Sequence, residues 1–183
     1  MSNYNKNEII DALNKNVNAF NQFMLSLNKE QFENTSGGKW SAGQNLYHLI
    51  LSIQPLQSAF SLPKFILSFL FGKANRQSKS YEALVEKYKS KLSAGGKASG
   101  RFVPEIISFK KKDFIVKKYD IQKENLIKKI KKQREEELDN YILPHPLLGK
   151  ITLREMLFFT IYHNEHHLQI VTKKEELFLT VKQ

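Results

Sequence analysis

The sequence contains no cysteine. This absence excludes disulfide bonds, thiolate metal sites and a cysteine nucleophile, and it fits a reducing compartment. The first residues lack the basic and then apolar segments of a signal peptide. The longest apolar stretch, residues 65–71, is far too short to span a bilayer. We therefore expect a cytoplasmic protein with no membrane partner.

Alternating apolar patterns that would predict β-strands are also absent, as are internal repeats. The 183 residues are 41% hydrophobic and 26% charged, which is typical of a globular protein. This length is sufficient for a hydrophobic core. We therefore expect one domain, over residues 1–183, built from helices.

Two helices are predicted in the first third of the chain. Residues 6–27 carry one apolar stripe at helical spacing, formed by Ile10, Leu13, Val17, Phe20, Met24 and Leu27. Residues 35–40 interrupt this pattern. Ser41 and Gln44 have the spacing of a capping box, which indicates the start of a second helix. Pro55 is expected to kink or end that helix.

The connection over residues 57–112 is unusually long. Within it, the pattern predicts a short apolar helix at 65–71 and an amphipathic helix over Tyr81–Leu92, capped by Ser80. Residues 93–100 have the composition of a flexible loop.

Two further long helices are predicted in the second half. The third bundle helix spans about 113–138, with a stripe formed by Ile115, Tyr119, Leu126 and Ile130. A turn-rich connection covers 144–149, and Thr152 with Glu155 forms a capping box that opens the last helix. Four amphipathic helices without strands predict an all-α fold, a four-helix bundle. The long connection between its second and third helices should cross the bundle or cap one end.

Positive charge is concentrated in one segment. The net charge is +11, and residues 110–134 hold eleven Lys or Arg residues and three acidic residues, hence +8. Binding of nucleic acid or another anionic surface is one hypothesis for this segment. No recognised nucleic-acid motif accompanies the charge, so we interpret it as a solvated helix face whose lysines are functionally secondary. Nucleic acid is not an expected partner.

The last predicted helix carries three of the five histidines. His163 and His167 are four residues apart and lie at the centre of its apolar face, with His166 at the edge. Buried imidazoles need polar partners, and a shared metal ion would supply one. Hydrogen-bonded core histidines are the alternative. Glu165 lies on the opposite face, which argues against a His-Glu-x-x-His site.

The other two histidines give weaker signals. His48 lies among Gln44, Asn45 and Ser52, opposite the apolar face of the second helix, so it faces either solvent or a polar pocket. His145 lies between two prolines and is interpreted as a turn residue. No histidine has a glutamate three positions before it, which disfavours a carboxylate-bridged di-iron bundle.

Three motifs resemble those of one known family. They are Trp-Ser-x-x-x-x-x-x-His-Leu at 40–49, His-Pro-x-x-Gly-x-x-Thr at 145–152 and Tyr-His-x-x-His-His-x-Gln-Ile at 162–170. In order and separation they resemble motifs of the DinB-like superfamily, and in particular its YfiT-like metal-binding four-helix bundles. The resemblance extends from residue 6 to about residue 172.

The resemblance implies one divalent metal ion, nickel or zinc, held by three histidines: His48, His163 and His167. His166 matches the doubled histidine of the family motif and is not expected to be a ligand. The candidates for orienting the ligands or lining the pocket are His166, Gln44, Asn45 and Glu155. No side chain identifies a general base.

Similar proteins include thiol transferases that depend on bacillithiol or mycothiol, and a maleylpyruvate isomerase. The resemblance therefore implies an enzyme whose metal activates water or a low-molecular-weight thiol towards a small-molecule substrate, as a hydrolase or a thiol S-transferase. This chain has Tyr-His-Asn-Glu-His-His where Trp-His-Gly-x-His-His is common, so the reaction stays open. The alternatives are a metal-stabilised bundle without catalysis and a module that binds nucleic acid or an anionic surface through residues 110–134.

Six of the seven residues at 65–71 are apolar. Left exposed, they would form a larger apolar patch than a soluble monomer usually tolerates. We therefore expect this segment to cover either the pocket mouth or a partner chain in a homodimer.

Overall fold

The computed structural model describes residues 4–181. Within them, eight α-helices are present: α1 Lys6–Ser26, α2 Lys29–Glu33, α3 Ala42–Ser61, α4 Lys64–Phe71, α5 Tyr81–Ser93, α6 Lys112–Lys131, α7 Glu137–Asn140 and α8 Leu153–Val181. The two strands are β1 Ile142–His145 and β2 Gly149–Thr152. Short 3-10 turns cover Ser36–Gly38, Gly100–Phe102 and Phe109–Lys111. The predicted all-α fold is confirmed.

Reciprocal capping hydrogen bonds fix the starts of the two helices that carry the histidines of interest. At α3, the backbone N–H of Gln44 donates to Ser41 Oγ and the N–H of Ser41 donates to Gln44 Oε1, both over 3.1 Å. At α8, the N–H of Glu155 donates to Thr152 Oγ1, and the N–H of Thr152 donates to the Glu155 carboxylate. Both predicted capping boxes are therefore confirmed.

The long helices α1, α3, α6 and α8 pack side by side. Helix α1 contacts α6 and α8, and α3 contacts the same two helices from the other side. Helices α3 and α6 run in the same direction, because Lys118 lies over the ring of Tyr47 and Lys129 donates to the carbonyl of Gln57. The chain between them must therefore return along the bundle before α6 begins, and α5 lies against α8 in that return.

Of the two predicted helix ends, one was wrong and one was left open. Pro55 was expected to kink or end α3, and the helix continues through it to Ser61, because the missing N–H removes one backbone hydrogen bond while Leu56, Ala59 and Phe60 continue the buried face. The third long helix ends at Lys131, about seven residues early. Polar residues follow the last apolar position of its stripe, and the short helix α7 is separate from it.

The hairpin formed by β1 and β2 was missed by sequence analysis. The strands are antiparallel, with Ile142 opposite Thr152 and His145 opposite Gly149. Each strand has four residues, too few to show an alternating pattern. The turn predicted at 144–149 lies at its tip, where Gly149 has a φ of +76°, in the region that favours glycine.

The start of α3 packs very closely on α2. A Cβ atom at Gly43 would lie 2.6 Å from Cε1 of the buried Phe32 ring, so only glycine fits without movement. This contact helps to hold the first turns of α3, which carry Asn45 and lead to His48.

Seven of the eleven basic residues of the 110–134 segment are exposed, as predicted, and three are half-buried. Lys123 is the exception, because its exposed fraction is only 5% and its ammonium contacts Asp120, Glu124 and Asn18. Within residues 4–181, no helix combines the length and apolar character needed to cross a bilayer.

Candidate metal centre

Three histidines converge between α3 and α8. His48 comes from α3, and His163 and His167 come from adjacent turns of α8. All three side chains are buried. The polar-pocket interpretation of His48 is therefore correct, and the two elements that carry the sequence motifs lie in direct contact.

The spacing of the nitrogen atoms suits one metal ion. Nε2 of His163 lies 3.1 Å from Nε2 of His48 and 3.0 Å from Nε2 of His167. Tetrahedral zinc holds nitrogen ligands at about 2.1 Å, which places them roughly 3.4 Å from one another. A small outward movement of the rings would therefore make room for the ion, and this group of histidines could hold one.

Hydrogen bonds set the proton positions on two of the rings. Nδ1–H of His48 donates to the carbonyl oxygen of Phe102, and Nδ1–H of His167 donates to Oδ1 of Asn45, each over 2.7 Å. Both acceptors are oxygens without a proton, so each Nδ1 must carry the hydrogen. The Nε2 atoms of both rings are then left with lone pairs that point towards His163, which is the form that binds a metal.

Asn45 is itself held in one orientation. Its Nδ2 donates to the carbonyl oxygen of Ser41 over 2.8 Å, which turns Oδ1 towards His167. The two polar residues of α3 thus have different roles. Asn45 contacts a histidine of the cluster, while the side chain of Gln44 is used in the helix cap.

Burial keeps the cluster neutral. It lowers the pKa of His163 and His167 well below the usual value, and the neighbouring histidines lower both further. The pKa of His48 is also lowered by burial, against the opposing effect of its hydrogen bond to Phe102. Neutral imidazoles are the metal-binding form, so at neutral pH no proton has to be removed from the ligands.

The remaining candidates lie outside this group. His166 is half-buried and stacks on Tyr162, with ring centroids 5.9 Å apart. Glu155 is buried in an ion pair with Arg76, with an oxygen 2.7 Å from the guanidinium. It therefore serves the start of α8 and does not contact the histidine cluster.

A large cavity adjoins the cluster. Its volume is about 670 Å³, and His48 and His163 form part of its wall. The lining is mostly apolar, and it contains no carboxylate among the described residues. Tyr119 and Asn164 add a polar point deep inside, where the tyrosine hydroxyl donates to the amide oxygen.

His145 contacts both the turn of the hairpin and the cavity. It is the last residue of β1 and not part of the turn itself, but its Nδ1 accepts hydrogen bonds of 3.1 Å from the backbone N–H groups of Leu147 and Leu148 in that turn. Its ring also lines the cavity, with its centroid 4.2 Å from that of Phe159. Burial, followed by the charge of Lys87, lowers the pKa of His145 to about 4.

The apolar segment at 65–71 reaches this cavity through one side chain. Phe71 lines the cavity and Leu67 is fully buried. Phe65 and Phe69 are 74% and 88% exposed, so most of the apolar surface of α4 does not cover the pocket. The homodimer stays a prediction.

Two contributors to the site were missed. Phe102 acts through its backbone carbonyl, which leaves no signal in side-chain patterns. Tyr88 packs edge-on against the ring of His163, with centroids 6.3 Å apart, and it looked like an ordinary core residue of an amphipathic helix.

Comparison with known proteins bears on the resemblance of the sequence motifs. No curated protein matches the sequence. The profile of the DinB superfamily matches residues 12–171, which span all four long helices apart from the start of α1 and the end of α8. That range contains the three converging histidines. The chain therefore belongs to the DinB superfamily.

Proposed function

We propose that the protein is a metal-dependent enzyme whose divalent ion, nickel or zinc, is held by His48, His163 and His167. The observation that carries the proposal is the convergence of three buried Nε2 atoms at the wall of a large cavity. When bound, such an ion would activate water or a low-molecular-weight thiol for attack on a small electrophile.

The surrounding residues are suited to hold the ligands and admit a substrate. Asn45 and the Phe102 carbonyl orient two of the imidazoles. Of the three proposed ligands, His48 and His163 line the cavity and His167 is not part of its lining. These three histidines would therefore hold an ion beside the cavity, and the mostly apolar wall would hold the substrate away from bulk water.

The composition of the wall favours a thiol S-transferase over a hydrolase. Activation of water usually uses a carboxylate or histidine base, and no carboxylate lines the cavity among the described residues. A thiol loses its proton when it coordinates a metal ion, so it needs no such base. Hydrolysis is the second candidate, because His145 offers a neutral imidazole in the same wall.

The first experiment is metal analysis of protein purified without a histidine tag. We expect about one equivalent of nickel or zinc per chain, and a loss of at least tenfold in affinity in His48→Ala, His163→Ala and His167→Ala. His166→Ala is the matched control on the same helix and should retain its metal. Stoichiometric metal in His163→Ala would disprove the assignment.

The second experiment separates the two reactions. Metal-loaded protein should accelerate conjugation of small thiols to a chromogenic aryl halide more than it accelerates hydrolysis of an aryl ester. The reverse order would favour the hydrolase. A protein that binds metal tightly, gains thermal stability from it and accelerates neither reaction would support the metal-stabilised bundle without catalysis.

The remaining expectations belong to the same proposal. A small-molecule substrate, a homodimer and a cytoplasmic location are consistent with an enzyme of this kind. Binding of nucleic acid through the basic helix is the alternative, and it does not use the histidines.

A further inference from the structure

The cavity beside the histidine cluster has a distinctive distribution of charge. Its described wall is mainly apolar and contains two permanent cations, Lys97 and Arg101, with no carboxylate to offset them. Within residues 4–181, neither cation forms an ion pair. Two uncompensated positive charges at a low-dielectric cavity attract an anion.

The two cations belong to one short loop. Lys97, Ser99, Arg101 and Phe102 all line the cavity, and they lie between α5 and α6. Lys97 and Arg101 are exposed, which places their charges at the rim rather than in the interior. The loop is tied to the candidate metal ligand His48 by the 2.7 Å hydrogen bond from its Nδ1 to the Phe102 carbonyl.

The interior offers an apolar surface to the rest of a ligand. Leu56, Ala59, Met156 and Phe159 line it, and the volume of about 670 Å³ is within the range of small-molecule sites. A ligand whose apolar body lies among these side chains would present its polar end either to the rim or to the histidines. The cations at the rim select an anionic end.

We propose that the cavity binds amphipathic organic anions, with the apolar body inside and the anionic group at Lys97 and Arg101. These anions are also the substrate class of the site, and this part of the inference rests on the proposed function. Binding itself does not require the metal, so the two proposals can fail separately.

The test uses two fluorescent probes with the same carbon skeleton. One is 8-anilinonaphthalene-1-sulfonate, and the other is its neutral analogue N-phenyl-1-naphthylamine. Both are titrated into chelator-treated protein, so that a metal ion cannot attract the sulfonate. We expect the native chain to bind the sulfonate more tightly than the neutral probe.

The variant Lys97→Gln/Arg101→Gln should weaken binding of the sulfonate by about threefold to tenfold, the effect of two partly exposed charge pairs. It should change binding of the neutral probe by less than about twofold, which also shows that the cavity is intact. The control Lys128→Gln/Lys131→Gln removes the same charge from the outer face of α6, away from the cavity lining. It should leave both affinities unchanged.

Three results would overturn the inference. They are no binding of either probe, equal affinity of the native chain for both probes, and an equal loss of sulfonate binding in the α6 control. If the charge preference is found in protein that never binds metal, the proposed enzyme fails while the anion site stands. If metal binds and the preference for the sulfonate is absent, the anion site fails while the proposed enzyme stands.

Discussion

Oδ1 of Asn45 accepts a 2.7 Å hydrogen bond from Nδ1–H of His167, a residue 122 positions further along the chain. The two side chains come from different helices and both are buried. This bond selects the tautomer of His167 and fixes the plane of its ring. A polar residue one turn before His48 therefore orients a histidine of the other helix.

Removal of that bond should weaken metal binding. We expect Asn45→Leu, which has nearly the same shape and no acceptor, to lower metal affinity by about 10- to 100-fold. Competition with a chromogenic chelator measures this. Gln44→Ala is the control, because it removes one of the two reciprocal capping hydrogen bonds of α3 without contacting the cluster. Equal losses of affinity in both variants would argue against an orienting role for Asn45.

The ion pair between Arg76 and Glu155 should be important for stability. Glu155 is fully buried, and Arg76 donates to both of its carboxylate oxygens. Arg76→Ala leaves that charge without its partner, and we expect the free energy of unfolding to fall by about 3 kcal/mol. Urea denaturation measures the change. Glu155→Gln in the same chain should recover part of the loss, and a failure to do so would show that the arginine acts through packing.

Acid should destabilise the protein through His145. The pKa of this imidazole is about 4 in the folded chain, because of burial and then Lys87, and about 6.5 when the chain is unfolded. Between these values the unfolded chain takes up a proton that the folded chain does not. The free energy of unfolding should therefore fall as the pH drops from about 6.5 to about 4, by up to roughly 3 kcal/mol from this group.

His145→Asn is the variant that isolates this effect. The amide oxygen can accept from the N–H groups of Leu147 and Leu148 but does not titrate. Denaturation of both chains at several pH values should give a shallower dependence for the variant. Parallel curves would assign the acid sensitivity to other groups.

The exposed face of α4 predicts self-association. Phe69 is 88% exposed and Leu70 is 55% exposed on the same short helix. We expect light scattering to give a dimer that Phe69→Asp converts to a monomer. Phe114→Asp is a matched control, because Phe114 is also exposed but lies on α6. A native chain that is monomeric at high concentration contradicts this prediction.

The basic segment should not bind nucleic acid specifically. Several of its ammonium groups already have partners within the protein, since Lys112 donates to the carbonyls of Leu25 and Leu27 and Lys129 to that of Gln57. We expect only weak binding to short DNA or RNA, lost steeply as salt increases. Tight, sequence-dependent binding at physiological salt would require the charge to be reinterpreted as functional.

Local patterns predicted the long helices and the pairing of His163 with His167 well. The apolar stripe of α1 and the capping boxes at Ser41 and Thr152 depend on residues a few positions apart, which a sequence displays directly. His163 and His167 share a face for the same reason. Their meeting with His48 came from the family resemblance, because helical periodicity on α3 left its side chain facing either solvent or a pocket.

Other features depend on tertiary contacts that no local pattern reports. The end of α6, the passage of α3 through Pro55 and the hairpin are decided by packing on neighbouring elements. The carbonyl of Phe102 meets His48 across 54 residues of chain, and its role is independent of its side chain. The cavity could not be predicted from local patterns either, because residues from many separate segments form its wall.

The shared direction of α3 and α6 also bears on how such a protein can diversify. It obliges the chain to make a long return between them, and that return supplies one part of the cavity wall, while α3 and α8 supply the histidines. Insertions and exchanges between residues 72 and 108 could then alter what the cavity accepts and leave the three histidines in place. The hydrogen bond from His48 uses the backbone carbonyl of Phe102, so it does not depend on which side chain residue 102 carries. The histidine cluster and this part of the cavity wall are in this sense carried by separate segments of the chain.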